Sequence, residues 1–261
     1  MQDIHKEKED FEKSKDPIQE LWDQRGSENT EDLPDQIQKK LELDSILSYI
    51  KPKHAVIDLG CGNGKVPLAI SDVAREVLGV EYAPEILKKA LPLAKENLSF
   101  CQGDVRELEG ISSDYYDIAI SERSLINLNN LEEQSIAIDQ IHRVLKSGGK
   151  YLMLETSKQG IERLSFYRQK FNLSPIKVPW HNLPIDDEWL FAYTEDKFAH
   201  IQTVFFDTYF LITRILHPLY VAPEEPSYTN KLNVIASQIS KQIPDYNGEM
   251  SQIKLHILEK E

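Results

Sequence analysis

The chain has 261 residues, 41% of them hydrophobic and 28% charged, which is ordinary for a globular protein holding one large α/β domain or two small ones. Its formal net charge of -13 and sequence pI near 5.1 repel nucleic acid and anionic membranes unless a local basic patch intervenes, and no long Lys/Arg run is present. The two cysteines, Cys61 and Cys101, sit in neither a CxxC nor a Cys/His ligand spacing, so no metal site and no disulfide framework is expected. The polar start MQDIHKEKED does not read as a secretory signal, and no apolar run approaches the roughly 18 residues of a membrane helix. The expectation is a cytoplasmic protein without a membrane span.

Residues 1–50 read as a charged helical arm, with Ile37, Leu41, Leu43, Ile46, Leu47 and Ile50 at roughly helical spacing. From Pro52 the pattern becomes an alternation of strands and helices. Strands are predicted at His54–Leu59, Val77–Glu81, Ser99–Gly103, Tyr116–Ser121 and Lys150–Glu155, and helices at Lys65–Arg75, Pro84–Asn97 and Glu132–Leu145. Such β-α repeats imply a parallel sheet with helices on both faces. Beyond Thr156 one or two helices are split by SPIKVPWHNLP. The run QTVFFDTYFLITRIL then reads as a long strand parallel to the others, and HPLYVAPEEPSYTN as a loop. A helix over Lys231–Gln242 and a last strand in SQIKLHILEK complete the chain. One domain over 1–261 is expected, with an arm (1–50), a core (51–156) and two cap insertions (157–200 and 214–242).

The stretch AVIDLGCGNGKVPLAI is the most informative. A buried-strand pattern leads into Gly60, Gly62 and Gly64, and a helical pattern follows, which presents backbone N–H groups to a ligand. A dinucleotide loop of the form G-x-G-x-x-G needs glycine at position 65, where this chain has Lys65. Asp58, two residues before the first glycine, would also repel a pyrophosphate. A cofactor with a cationic head group suits it better, and S-adenosylmethionine carries an ammonium and a sulfonium.

VIDLGCGNG resembles motif I of the class I S-adenosylmethionine-dependent methyltransferases. The resemblance extends through VLGVEYAP, CQGDVREL, YDIAISERSL and LKSGGKYLMLE, and covers roughly residues 40–155. It implies a doubly wound, mostly parallel, seven-stranded Rossmann-like α/β sheet with a helical and loop cap, and S-adenosyl-L-methionine as cofactor. It further implies Asp58 near the methionine part, Gly60, Cys61, Gly62 and Gly64 beneath it, Glu81 on the ribose hydroxyls and Tyr82 on the adenine. Asp104 and the Val105 backbone correspond to the adenine edge, and Ser121 to the strand end beneath the transferred methyl.

The acceptor is less determined. Strand ends nominate Glu122, Arg123 and Glu155. The loop PWHN nominates Trp180, His181 and Asn182, and the segment around HPLY nominates Arg214, His217 and Tyr220, so residues 179–182 and 214–230 are expected to close over the methyl. His181 and Glu122 are the two candidate general bases. Trp22 and Arg25 lie where an N-terminal lid would sit. SERS replaces the D/N-P-P-Y of base-methylating enzymes, neither cysteine follows a proline as C5-cytosine methylation requires, and no carboxylate cluster marks a catechol-type metal site. A small polar acceptor is expected and nucleic acid is not, with the protein a monomer or homodimer. SERSLINL, PWHN and HPLYVAPEEPSY resemble methyltransferases of bacterial surface-polysaccharide clusters, which implies a sugar or phosphoryl acceptor. The alternatives are N- or C-methylation of a quinone-type or polyketide metabolite, and a non-catalytic cofactor-binding subunit.

Overall fold

The computed structural model describes residues 16–243, 248 and 250–261, so the first fifteen residues of the expected arm lie outside the described residues. Seven strands form one sheet: β1 (Ala55–Leu59), β2 (Glu76–Glu81), β3 (Leu98–Gln102), β4 (Tyr116–Glu122), β5 (Leu145–Thr156), β6 (Phe198–Val204) and β7 (Ile253–Lys260). Their spatial order is β3-β2-β1-β4-β5-β7-β6. The first five are parallel, and β7 runs antiparallel to both β5 and β6. The sheet is thus mostly parallel and Rossmann-like, as the resemblance implies.

Period-two alternation along the strands divides the core into two layers. Val56, Ile118, Ile120, Leu152 and Leu154 pack on one face, and Ile57, Ala119, Tyr151 and Met153 on the other. The helices that cover these faces begin on side-chain caps in most cases. Asp16 caps α1 (Pro17–Glu28), Asp35 caps α2 (Gln36–Leu47), and α3 (Lys65–Ser71) and α4 (Pro84–Ala90) follow β1 and β2. Asn130 caps α5 (Leu131–Val144), Ser157 caps α6 (Lys158–Lys170) and Asp186 caps α7 (Asp187–Thr194). No helix among the described residues is long and apolar enough to cross a membrane.

The run from Gln202 to Leu216 is not one long strand. Strand β6, which pairs antiparallel with β7 and so points the same way as β1–β5, ends at Val204, and the chain then turns helical through α8 (Asp207–Leu211), a π turn (Ile212–Leu216) and α9 (His217–Val221). Its buried side chains Phe206, Tyr209, Phe210, Thr213 and His217 recur every three or four residues, as one helical face requires. A last helix, α10 (Lys231–Gln242), leads towards β7.

Candidate active site

A cavity of about 700 Å³ opens at the carboxyl ends of the parallel strands, where loops diverge on either side of β1. Its floor is the glycine loop. Gly60, Gly62 and Gly64 all have positive φ, at 75°, 57° and 81°, which only glycine adopts readily. A side chain at Gly60 would meet Ser124 Cβ at 2.6 Å and one at Gly64 would meet Ala90 Cβ at 2.9 Å, whereas one at Gly62 would meet nothing within 4 Å. Two glycines therefore serve close packing, and Gly62 leaves its space to the cavity. Cys61 is buried beside it, and burial pushes its thiol far above the usual range, so it is no nucleophile.

Asp58, at the end of β1, is buried, and among the described residues its Oδ1 has no hydrogen-bond partner. Burial, then the Glu122 and Glu81 carboxylates, push its carboxyl well above the usual range. An orphaned carboxylate among like charges is a site for a cation. Glu81 closes the end of β2. Its Oε2 accepts the Gly62 N–H at 2.8 Å and its Oε1 the Ala83 N–H at 2.9 Å, which tie the loop to the strand. Burial raises the Glu81 carboxyl, opposed by those N–H groups. Tyr82 and Val105 line the cavity nearby. Asp104 accepts from Arg106, with the backbone N–H at 2.8 Å and Nε at 2.9 Å, and Arg106 Nη1 also donates to Glu133 at 3.0 Å. The acid expected at the adenine edge is thus already held by an arginine, although a carboxylate has lone pairs for further donors.

The turn after β4 forms the next wall. Arg123, at φ 53°, donates to Glu122 Oε1 at 2.6 Å and to the buried Glu42 of α2. Glu155 lies below and off the cavity. Its Oε1 accepts from the Ser124 and Leu125 N–H groups at 3.1 and 3.0 Å, and burial raises its carboxyl to about 7. It holds the turn rather than touching a ligand. Ser121 is likewise buried and bonded to Tyr151 Oη at 2.8 Å.

His181 and Asn182 reach the cavity from the loop between α6 and α7. Leu183 N–H, donating to Ile126 O at 2.6 Å, pins that loop beside Asn127. Among the described residues, His181 Nδ1, Asn182 Oδ1 and Asn127 Oδ1 are buried without hydrogen-bond partners. Burial, then the Arg25 charge, lowers the His181 imidazole, so it is neutral at pH 7. Trp22 and Arg25 of α1 line the same cavity, and the Trp22 ring meets His181 edge-on at 6.0 Å.

Besides Glu155, four expected acceptor contacts are not brought to the cavity. Trp180 is exposed, with its ring 5.5 Å from that of His181. Arg214 bonds Asp35 and Gln38 of α2 at 2.9 and 2.8 Å, His217 is buried in the helix, and Tyr220 points to solvent. For Arg214, His217 and Tyr220 the physical reason is the helical fold of residues 207–221, none of which lines the cavity. Conversely, Asn127, Arg106, Glu42 and Lys39 went unnoticed in the sequence. Arg106 and Asn127 lie inside the motifs CQGDVREL and SERSLINL, but their partners come from other loops, while Glu42 and Lys39 sit in no motif.

The sequence profile described as "Methyltransferase domain" matches residues 50–202. A demethylmenaquinone methyltransferase of Staphylococcus aureus is 32% identical over 109 residues, 39% of this chain. The chain spans 43% of the length of that relative. Among solved structures, a Haloferax volcanii chain from a complex with the Trm112 methyltransferase activator aligns with a TM-score of 0.62 at 15% identity, covering 91% of this chain and 96% of that one. The N-methyltransferase NodS of Bradyrhizobium japonicum, solved with S-adenosyl-L-homocysteine, aligns at 0.57 and 10% identity, covering 94% and 99%.

Proposed function

Because the chain belongs to the methyltransferase-domain family, as a class I S-adenosylmethionine-dependent enzyme, we propose that it transfers a methyl group to an oxygen of a small polar acceptor. The sugar or phosphoryl type used in surface-glycan synthesis is the class we favour. When bound, the cofactor supplies a methyl on a positively charged sulfur. Asp58 would neutralise its ammonium, Glu81 would accept from its ribose hydroxyls, and Gly62 leaves room for its backbone to pass. The observation that carries the acceptor reading is the group of unpartnered polar atoms on Asn127, His181 and Asn182, since buried polar atoms find hydrogen-bond partners. The hydroxyls of a polyol or sugar can donate to the two amide oxygens, and an apolar ring cannot.

A hydroxyl acceptor must lose its proton as it is methylated. Neutral His181 can take it, whereas Glu122 is already engaged by Arg123. Trp22 and Arg25 of α1 cover the neighbouring wall and limit the entry of water. The quinone-methylating relative favours a second reading, C-methylation of an aromatic acceptor, across the two fifths of the chain that it matches.

Labelled methyl transfer to a panel of sugars, sugar phosphates and a naphthoquinol separates the two. Polar oxygen acceptors should be methylated, and His181→Ala should lower turnover by roughly 100-fold. Methylation of the naphthoquinol alone would overturn the polar reading. Full turnover in His181→Ala with collapse in Glu122→Gln would move the base to Glu122.

A further inference from the structure

From Arg163 to Ile185 the sequence contains four basic residues, Arg163, Arg168, Lys170 and Lys177, and no acidic one, in a chain of net charge -13. The same stretch exposes Phe166 (47%), Phe171 (51%), Val178 (42%) and Trp180 (73%). On α6, Arg163, Phe166 and Lys170 recur at i, i+3 and i+7, so they share a face, and Lys170 Nζ lies 4.8 Å from the Phe166 ring centroid. The segment beyond α6 is tied down. Arg168 donates from Nε to Ser174 O at 2.7 Å and from Nη1 to Arg214 O, and Ile176 N–H donates to Ser165 Oγ at 3.1 Å. The apolar side chains are therefore presented by a held loop. That loop runs directly into Pro179, His181 and Asn182, which line the cavity.

We propose that residues 163–180 dock on an anionic lipid surface, with Phe171, Val178 and Trp180 entering the headgroup layer and Lys170 and Lys177 meeting lipid phosphates. Basic side chains interleaved with exposed Trp, Phe and aliphatic residues are the composition of an interfacial surface. Tryptophan in particular settles at the membrane–water boundary, where its ring has an apolar body and a polar edge. The charge match is local, because the rest of this acidic molecule is repelled by the same lipids and would orient the docked face. Nucleic acid would also meet the positive charge, but the segment exposes four large apolar side chains, Phe166, Phe171, Val178 and Trp180, beside it. Docking brings the cavity mouth to the headgroup layer, where an amphiphile can present a polar head to the His181 wall. That delivery step, unlike the docking, rests on the methyltransferase reading.

The test is co-sedimentation of the full chain with vesicles of phosphatidylcholine alone and of phosphatidylcholine mixed with phosphatidylglycerol. Partition onto the mixed vesicles is expected, weakening with added salt, with little onto the neutral ones. Lys170→Glu/Lys177→Glu should lose at least about tenfold in partition, and Phe171→Ser/Val178→Ser should lose it without any charge change. Both variants should keep the wild-type affinity for S-adenosylhomocysteine in calorimetry, which also shows that they fold. Wild-type protein left in the supernatant with both vesicles, or variants that partition like wild type, would overturn the docking. So would retention of single-stranded RNA, with the same lysine dependence, in place of vesicles. Absence of cofactor binding in the wild type would count against the methyltransferase reading instead.

Discussion

Asp58 is a carboxylate that the fold removes from water, crowds with Glu122 and Glu81, and leaves with an unpartnered Oδ1. In the folded protein its raised pKa means that it binds a proton more tightly than in the unfolded chain. Its contribution to stability is therefore fullest below the ordinary carboxylate range and is lost as pH rises through the raised value. A cationic ligand reverses the preference by favouring the ionised form. Binding of S-adenosylmethionine should thus release a proton wherever Asp58 of the ligand-free protein is still protonated. Affinity should rise with pH until Asp58 of the ligand-free protein is ionised, and then level off. Calorimetry in buffers of different ionisation enthalpy reads the proton directly. Asp58→Asn should lose at least about tenfold in affinity, the order of one charge-assisted contact, together with the pH dependence. A pH-independent affinity in the wild type, or wild-type affinity in Asp58→Asn, would remove Asp58 from the ammonium.

At the level of elements, the parallel core was legible because each buried strand is a short apolar run ended by a turn. Strands β1 to β4 lie within one residue or so of their expected bounds, while β5 starts earlier than its sequence suggests, at Leu145. The segment 205–217 was misread because its β-branched and aromatic residues favour strands by propensity, while its buried positions repeat with a helical period. That error carried Arg214, His217 and Tyr220 into the expected site. That Asp58, Gly60, Gly62 and Glu81 would line one cavity was legible from spacing along one glycine loop and two strand ends. The acceptor side was only partly so, because the loops of Asn127 and Asn182 are joined by the Leu183 N–H to Ile126 O bond, which no local pattern encodes. Helix α1 shows how a distant element completes the wall. Asp23 Oδ1 accepts the Glu85 N–H at 3.0 Å and Gln19 Nε2 donates to Tyr82 O at 3.2 Å, which set α1 on α4. Gly26 permits the contact, since a Cβ there would lie 2.9 Å from Ile86 Cγ1 and 3.0 Å from backbone carbon of Glu85. Gly26→Val should therefore cost about 1–3 kcal/mol by overpacking, or a melting point lower by roughly 2–10 °C. It should also weaken cofactor binding by displacing Trp22 and Arg25. If binding is unchanged in a variant that melts lower, α1 is packing and not part of the cofactor wall.

Across the whole molecule, a ligand in this cavity joins parts that are distant in sequence. It would touch α1, the loop after β1, the ends of β2 and β4, and the 181–182 loop, all of which line the same space. Unfolding scatters those parts, so a ligand of the right chemistry must stabilise the folded state by mass action. At a concentration of about 100 times the dissociation constant the gain is about 2.7 kcal/mol. For a domain of this size that corresponds to a rise in melting temperature of roughly 5–10 °C. S-adenosylhomocysteine should produce such a rise, because Glu81 and the Gly62 space remain available to its ribose and backbone, and Asp58 to its ammonium. NADH should not, because its pyrophosphate would have to lie against Asp58, Glu81 and Glu122, whose charge Lys39 opposes at Asp58. Melting curves at fixed neutral pH with each ligand in turn make the comparison. A shift with NADH equal to that with S-adenosylhomocysteine would mean that the carboxylates do not select the cofactor. A shift with neither would mean that the cavity needs another component before it binds.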